Sequence, residues 1–327
     1  MQLYNKLSAE ERANIIDQNS QERVTLSFYK YFKLGNPSLL RDHLFIVWSD
    51  LDVLGRIYVS KEGINAQLSV PKYNFEKFKI SVNEIVPLKN IRLNIALEHY
   101  SKSFLKLTIK IRDKIVADGL DDSSFDVTKV GEHLDAKRFN EMLNNKNTIC
   151  IDMRNHYESE IGFFKGAIKP DVDTFRESLS IIDRELEKNG KDKNYLMYCT
   201  GGIRCEKASA YFKHKGFQNV FQLEGGIIEY AKQVKQLGLE NNFIGKNFVF
   251  DNRMAEEVGK QVIANCHQCG NPFDIHTNCA NDACHLLFIQ CENCKELMQN
   301  CCSYECKEVY GKPINEQKAL RLSLIHI

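Results

Sequence analysis

The chain has 327 residues, 43% hydrophobic and 27% charged, with a formal net charge of +1. That length predicts two or three domains of ordinary globular composition, and the balanced charge leaves no whole-molecule field to attract nucleic acid or membrane. No apolar run reaches the roughly 18 residues of a membrane span, and Met1–Lys6 holds no secretion core, so the twelve cysteines read as reduced thiols, metal ligands or catalysts in the cytoplasm rather than a disulfide scaffold.

The cysteines are unevenly placed. None falls in the first 149 residues, Cys150, Cys199 and Cys205 occupy the middle, and nine lie between Cys266 and Cys306. This predicts an α/β and α+β multidomain chain with three units. The first is 1–120. Residues 121–143 are a linker and the first packing segment of the second unit, 144–239. The third is 245–312, followed by a tail, 313–327.

In the first unit, Val24–Tyr29 reads as a strand, Ser38–Asp50 as a helix, and Gly55–Val59 with Ile64–Val70 as a hairpin around Lys61-Glu62-Gly63. Tyr73–Asn83 has helical spacing and Phe104–Ile111 alternates as a last strand. Strand, helix, strand, strand, helix, strand is the order of a ferredoxin-like (acylphosphatase-like) sandwich. Between Pro71 and Val116 ten Lys/Arg stand against four acids. Residues two apart on a strand share a face, so Lys106, Lys110 and Arg112 form a basic face suited to a nucleic-acid backbone or to plain solvation. Asp118–Ser124 is a polar, turn-rich connector.

In the second unit, Thr148–Arg154 is a strand ending in polar residues. Glu158–Ala167 reads as a loop, and Asp173-Thr174-Phe175 starts a helix. Asn219–Leu223 is a further strand, and Glu224-Gly225-Gly226 turns into a helix. Alternating strands and helices predict a small parallel sheet, whose ligands sit beyond the strand carboxyl ends. Asp152, Arg154 and Cys199 all fall there. Cys199-Thr200-Gly201-Gly202-Ile203-Arg204 follows the apolar run Tyr195–Tyr198 and opens a helix. Its free N–H groups can converge on one anion, and a helix N-terminus with an arginine lowers a cysteine pKa from about 8.5. Cys199 is thus expected as a thiolate, with Arg204 closing one side of the cradle. Cys205 either resolves an oxidised Cys199 or packs beneath the loop. Asp152 braces the loop; Arg154 and Lys207 meet a substrate phosphate or the surface.

The third unit carries Cys266, Cys269, Cys279, Cys284, Cys291, Cys294, Cys301, Cys302 and Cys306, with His267, His276 and His285 among them. Few apolar residues remain to build a core. Two CxxC pairs predict one or two structural zinc ions, although spacing leaves the pairing of donors open.

These motifs resemble a known family. Ile151-Asp152-Met153-Arg154, Gly162–Ile168, the loop Cys199–Arg204 and Glu224-Gly225-Gly226 resemble a rhodanese domain. The N-terminal sandwich, Cys199–Lys207, Ile244–Met254 and the cysteine-rich end together are similar to bacterial oxygen-dependent tRNA uridine hydroxylases, over residues 20 to 312. The resemblance implies hydroxylation of the wobble uridine to 5-hydroxyuridine with molecular oxygen as co-substrate and Cys199 as catalytic cysteine. It also implies an anticodon arm as partner and no flavin, haem or nucleotide cofactor. The six-residue loop suits a small sulfur adduct better than a tetrahedral oxyanion, which argues against a phosphatase. Rhodanese-type sulfurtransfer through a Cys199 persulfide remains the alternative. Tyr157 and Tyr198 are candidate platforms for an extruded base.

Overall fold

The computed structural model describes residues 3–120 and 124–324. They form two compact units. The first contains Met1–His156, Phe164–Asn242 and Val249–Arg253; the second contains Tyr157–Phe163, Phe243–Phe248 and Met254–Ile327.

The first unit begins with a helix, α1 (Ala9–Gln18), that the sequence reading passes over. Its signal is a capping box: Ser8 Oγ accepts from Glu11 N–H, and the Glu11 carboxylate accepts from Ser8 N–H. Next come β1 (Arg23–Tyr31), α2 (Pro37–Asp50), β2 (Leu54–Ser60), β3 (Gly63–Pro71), α3 (Phe75–Glu84), β4 (Asn94–Ile95) and β5 (Leu107–Ile111). They build one sheet in the order β4-β1-β3-β2-β5. The first four strands pair antiparallel in the ferredoxin-like order, with β1 and β3 in register from Arg23↔Pro71 to Tyr31↔Gly63.

The expected last strand is real but sits elsewhere. β5 pairs parallel with β2 at the opposite edge, and the two-residue β4 takes the place beside β1. Alternation tells which face of a strand is buried, not which edge it joins. Leu107 and Ile109 enter the core, where Trp48 lies between Phe28 and Phe78 at ring separations of 6.3 and 5.5 Å. The alternation leaves the other face polar: Thr25, Ser27 and Tyr29 from β1, Arg56 and Tyr58 from β2, Asn65 and Gln67 from β3.

The chain continues through β6 (Glu132–Leu134), α4 (Ala136–Leu143), β7 (Thr148–Asp152), α5 (His156–Glu160) and β8 (Gly162–Phe164). After these come α6 (Phe175–Asn189), β9 (Asn194–Tyr198), α7 (Ile203–His214), β10 (Val220–Leu223) and α8 (Gly226–Leu237). Strands β6-β10-β9-β7 form a parallel four-stranded sheet. The segment 121–143, expected as a linker and the first packing segment of the second sequence unit, supplies the edge strand β6 and helix α4. The segment 158–167, read as a loop, contains the end of α5 and all of β8, elements too short for a periodic signal. Of the polar connector 118–124, residues 121–123 lie outside the described residues. Asp118 itself is buried, 3.3 Å from the Lys207 ammonium.

The second unit holds β11 (Phe243–Phe248) and β12 (Ala255–Glu257), in a sheet ordered β12-β11-β8. It also holds a hairpin of β13 (His276–Asn278) and β14 (Leu287–Ile289), then α9 (Glu292–Met298), α10 (Tyr304–Tyr310) and α11 (Ile314–Leu324). The tail therefore carries a helix. Among the described residues no helix is long and apolar enough to cross a membrane.

Candidate active site

β9 delivers Cys199 to the start of a tight loop, and α7 begins at Ile203 with Arg204 in its first turn. Two glycines make the loop possible. Gly202 has φ 102°, and a Cβ there would lie 2.5 Å from the Tyr29 hydroxyl. Gly226 has φ 69°, and a Cβ there would press on the Cys199 and Thr200 carbonyls and the Gly201 nitrogen, at 2.5–2.7 Å. The same carbonyls accept from Ile227 and Ile228 N–H, which fixes the loop to the start of α8.

The Cys199 thiol is 1% exposed. Gly202 N–H donates to its Sγ at 3.1 Å. Burial pushes this thiol up. A hydrogen bond from the Cys205 thiol, the Arg204 charge and the N–H groups of Cys205 and Arg204 outweigh burial, and the pKa falls to about 6. Burial, then the hydrogen bond to Cys199, push Cys205 well above its ordinary range. Cys199 is the ionised member of the pair and Cys205 the donor. Replacing Arg204 with alanine is expected to raise the Cys199 midpoint by about one unit. Alkylation rate against pH measures this, and an unmoved midpoint would remove Arg204 from the electrostatics.

Cys199 lines a cavity of about 350 Å³ inside the first unit, within the roughly 300–1,000 Å³ range of small-molecule sites. The loop forms one wall through Cys199, Thr200, Gly201, Ile203 and Arg204. The polar face of the five-stranded sheet forms the other through Ser27, Tyr29, Arg56, Tyr58, Gln67 and Asn94. Phe250 and Arg253 also line it, and the Arg204 guanidinium lies 5.9 Å from the Phe250 ring. Hydrogen bonds tie wall to wall: Asn94 Nδ2 donates to Gly201 O at 3.3 Å, and Tyr29 Oη to Glu206 Oε1 at 3.2 Å. Glu206 also meets His133 Nε2 at 2.8 Å, and this bond, the largest influence, raises the His133 pKa.

The structure brings only part of the expected set together. Gly202 and Cys205 support the loop without lining the cavity. Asp152 and Arg154 form a fully buried ion pair, with Arg154 Nε and Nη2 at 2.9 and 2.7 Å from the carboxylate, and Tyr198 Oη donating to Asp152 at 2.8 Å. Neither residue lines the cavity, so Asp152 holds Arg154 and Tyr198 rather than the loop. Arg154 does not reach the surface: it is buried, with its guanidinium held by Asp152 two residues away. Lys207 is also buried, 2.7 Å from Glu62 and 3.3 Å from Asp118. Tyr198 is core and Tyr157 packs edge-on to Phe248 at 5.3 Å; the aromatic residues at the cavity are instead Phe28, Tyr29, Tyr58, Phe104 and Phe250. Lys106, Lys110 and Arg112 are exposed outside the cavity. Lys110 pairs across from Tyr58, and Arg112 lies 5.7 Å from that ring.

In the second unit the thiols fall into two quartets: Cys266, Cys269, Cys291 and Cys294, and Cys279, Cys284, Cys302 and Cys306, with donor atoms of each set within 4.8 Å of one another. First and third pairs make one set, second and fourth the other, a crossed arrangement that spacing alone does not reveal. Close Sγ–Sγ distances are 3.6–3.7 Å, near the roughly 3.8 Å edge of a tetrahedron with 2.3 Å metal–sulfur bonds. Cys301 belongs to neither set. It is fully buried, with its Sγ 3.6 Å from Gln299 O. The histidines are also outside: His267 and His276 meet Glu160 at 2.7 and 3.8 Å, and His285 meets Asp282 at 4.0 Å.

Three family profiles match the chain: a UPF0176 acylphosphatase like domain over residues 23–115, a rhodanese-like domain over 135–233 and a rhodanase C-terminal region over 244–307. A protein of Photorhabdus laumondii named tRNA uridine(34) hydroxylase is 52% identical over 320 residues, 98% of this chain and 91% of that protein. A Leptospira interrogans protein of the same name is also 52% identical, over 98% of this chain and 87% of its own length. The chain belongs to the tRNA uridine(34) hydroxylase family. Solved structures similar to part of this family member include a rhodanese-like domain protein from Staphylococcus aureus (21% identical, TM-score 0.25, 30% of this chain and 90% of that one). Another is a single-domain sulfurtransferase from Saccharomyces cerevisiae (20%, TM-score 0.26, 32% and 93%).

Proposed function

We propose that this chain hydroxylates C5 of the wobble uridine of tRNA in the cytoplasm, with molecular oxygen as co-substrate and Cys199 as catalytic residue. The observation that carries the reading is an ionised Cys199 on the wall of a base-sized cavity, in a member of a family whose relatives are named for this reaction. Uracil C5 becomes nucleophilic when a thiolate adds at C6 and the C5–C6 π electrons move onto O4. Arg204 and the loop N–H groups stabilise that negative charge. C5 then takes one oxygen atom of dioxygen, and a two-electron reductant carries the other to water. Loss of the C5 proton and departure of the thiolate restore the ring. Tyr29, Glu206 and half-exposed His133 form a hydrogen-bonded path for protons between the cavity and the surface.

The two cysteine quartets support two structural zinc ions, since four thiolates at these separations are a zinc donor set. Arg56, Lys110 and Arg112 suit phosphates flanking the target base. Removing Lys110 and Arg112 to alanine is expected to weaken anticodon-arm binding and flatten its log–log salt dependence by about 0.7 per lost contact. An unchanged slope in fluorescence titrations moves the RNA elsewhere.

Nucleoside mass spectrometry of tRNA from cells lacking the chain, then supplied with it, tests the activity. The 5-hydroxyuridine signal should vanish and return, and its oxygen should carry label from ¹⁸O₂. Return of thiolated nucleosides or a protein persulfide in its place would favour sulfurtransfer.

A further inference from the structure

We propose that Asn94 reads the target base, with its Oδ1 accepting the N3–H of uracil and thereby separating uridine from cytidine. The proposal rests on the reading that Cys199 acts on a uridine, and it adds a specificity residue from a distant strand. The short strand β4 pairs with β1 so that Asn94 stands opposite Ser27 on the polar face of the sheet. Both flank the catalytic loop: a Cβ built on Gly201 would lie 3.8 Å from Asn94 Nδ2 and 3.9 Å from Ser27 Oγ. Asn94 is 3% exposed and lines the same cavity as Cys199.

Its hydrogen bonding is half complete. Nδ2 donates to Gly201 O at 3.3 Å, while Oδ1 is buried with no partner among the described residues. A buried acceptor without a donor is unfavourable and calls for an explanation. A base in the cavity supplies the missing donor if it carries N–H at ring position 3. Uracil does; cytosine carries a lone pair there. A carboxamide ordinarily suits either base by turning over. Here the Gly201 carbonyl prevents the turn, because it would then face Oδ1, oxygen against oxygen. The loop that carries the thiolate therefore also holds the reading group in one orientation, and recognition and reaction share one contact.

The test compares short anticodon stem-loops that differ only in a wobble uridine or a wobble cytidine, titrated against the full chain and against Asn94→Ala. The wild-type chain should prefer uridine by about tenfold. The Asn94→Ala chain should lose that preference while its Cys199 alkylation midpoint stays near 6. A merely structural role would weaken both stem-loops alike and keep the ratio. A tenfold ratio retained in Asn94→Ala, or no preference in the wild type, overturns the inference. Should Asn94→Ala fail to fold, Asn94→Ser gives the same reading of the ratio. In cells, 5-hydroxyuridine made by the wild-type chain separates failure of this inference from failure of the hydroxylase reading.

Discussion

Cys199→Ser is expected to abolish 5-hydroxyuridine formation, by on the order of a thousandfold or more, while leaving anticodon-arm binding nearly intact. Serine keeps the size and the N–H cradle but remains protonated at any physiological pH, so the nucleophile alone is removed. In the wild-type chain the reaction rate should rise from pH 5 to 7 with a midpoint near 6, where Cys199 ionises. Stability should move with the same group. Its folded pKa lies below the ordinary value of 9.0, so its contribution is fully present above about 9 and is lost as pH falls through about 6. Cys199→Ser should remove that part of the pH dependence. A 5-fluorouridine anticodon arm should trap a covalent adduct on Cys199. Turnover retained in Cys199→Ser, with no adduct in the wild type, would remove the nucleophile from the mechanism.

The second large effect concerns the thiol quartets. The purified chain should carry two zinc ions, one per set of four donors, measurable by elemental analysis. Cys266→Ser should leave one, and Cys279→Ser the other one. Structural zinc sites contribute on the order of 10 kcal/mol to the folding of small domains, and the two clusters around the quartets are built mainly from the cysteines themselves, with Phe273 beside one and Phe288 in the other. Chelation with a strong ligand should therefore melt β13, β14 and α9 and expose them to protease. Cys301→Ser is the control, since its sulfur lies beside Cys279 yet belongs to neither set of four donors; it should keep both ions. A metal-free, protease-resistant chain would leave the quartets as ordinary reduced thiols.

How far the residues spoke for themselves depended on the range of the interactions. The Cys199 loop was readable because the residues that mark it, the apolar run Tyr195–Tyr198, Gly201, Gly202 and Arg204, lie within ten positions; Gly226, which closes on the loop from the start of α8, does not. Asn94 and Tyr29 were not, although both sit on the loop. Their partners are 107 and 177 residues away, and only the pairing of β4 with β1 brings them there. The polar alternation of Ser27 and Tyr29 was visible in β1, but an outward strand face faces solvent or a site with equal ease until a second sheet is set against it. Arg154 was misread for the opposite reason: its partner was too near, and a charged residue after a strand looked available when Asp152 had already claimed it. The cysteines announced metal chemistry by number and spacing, while their crossed pairing required the chain path of the second unit.

Lys207 has a consequence for how the chain can be divided. Its ammonium is sealed inside the first unit, held by Glu62 from the β2–β3 turn and by Asp118, beneath the rings of Tyr31 and Phe125. Both counter-ions and both covering rings belong to the N-terminal half. A fragment trimmed to the rhodanese-like segment would inherit the helix that carries Arg204 together with an orphaned cation in its flank. The rhodanese-like half is thus not a portable module: cutting it free leaves an unpaired ammonium and removes the polar sheet wall across the cavity from Cys199.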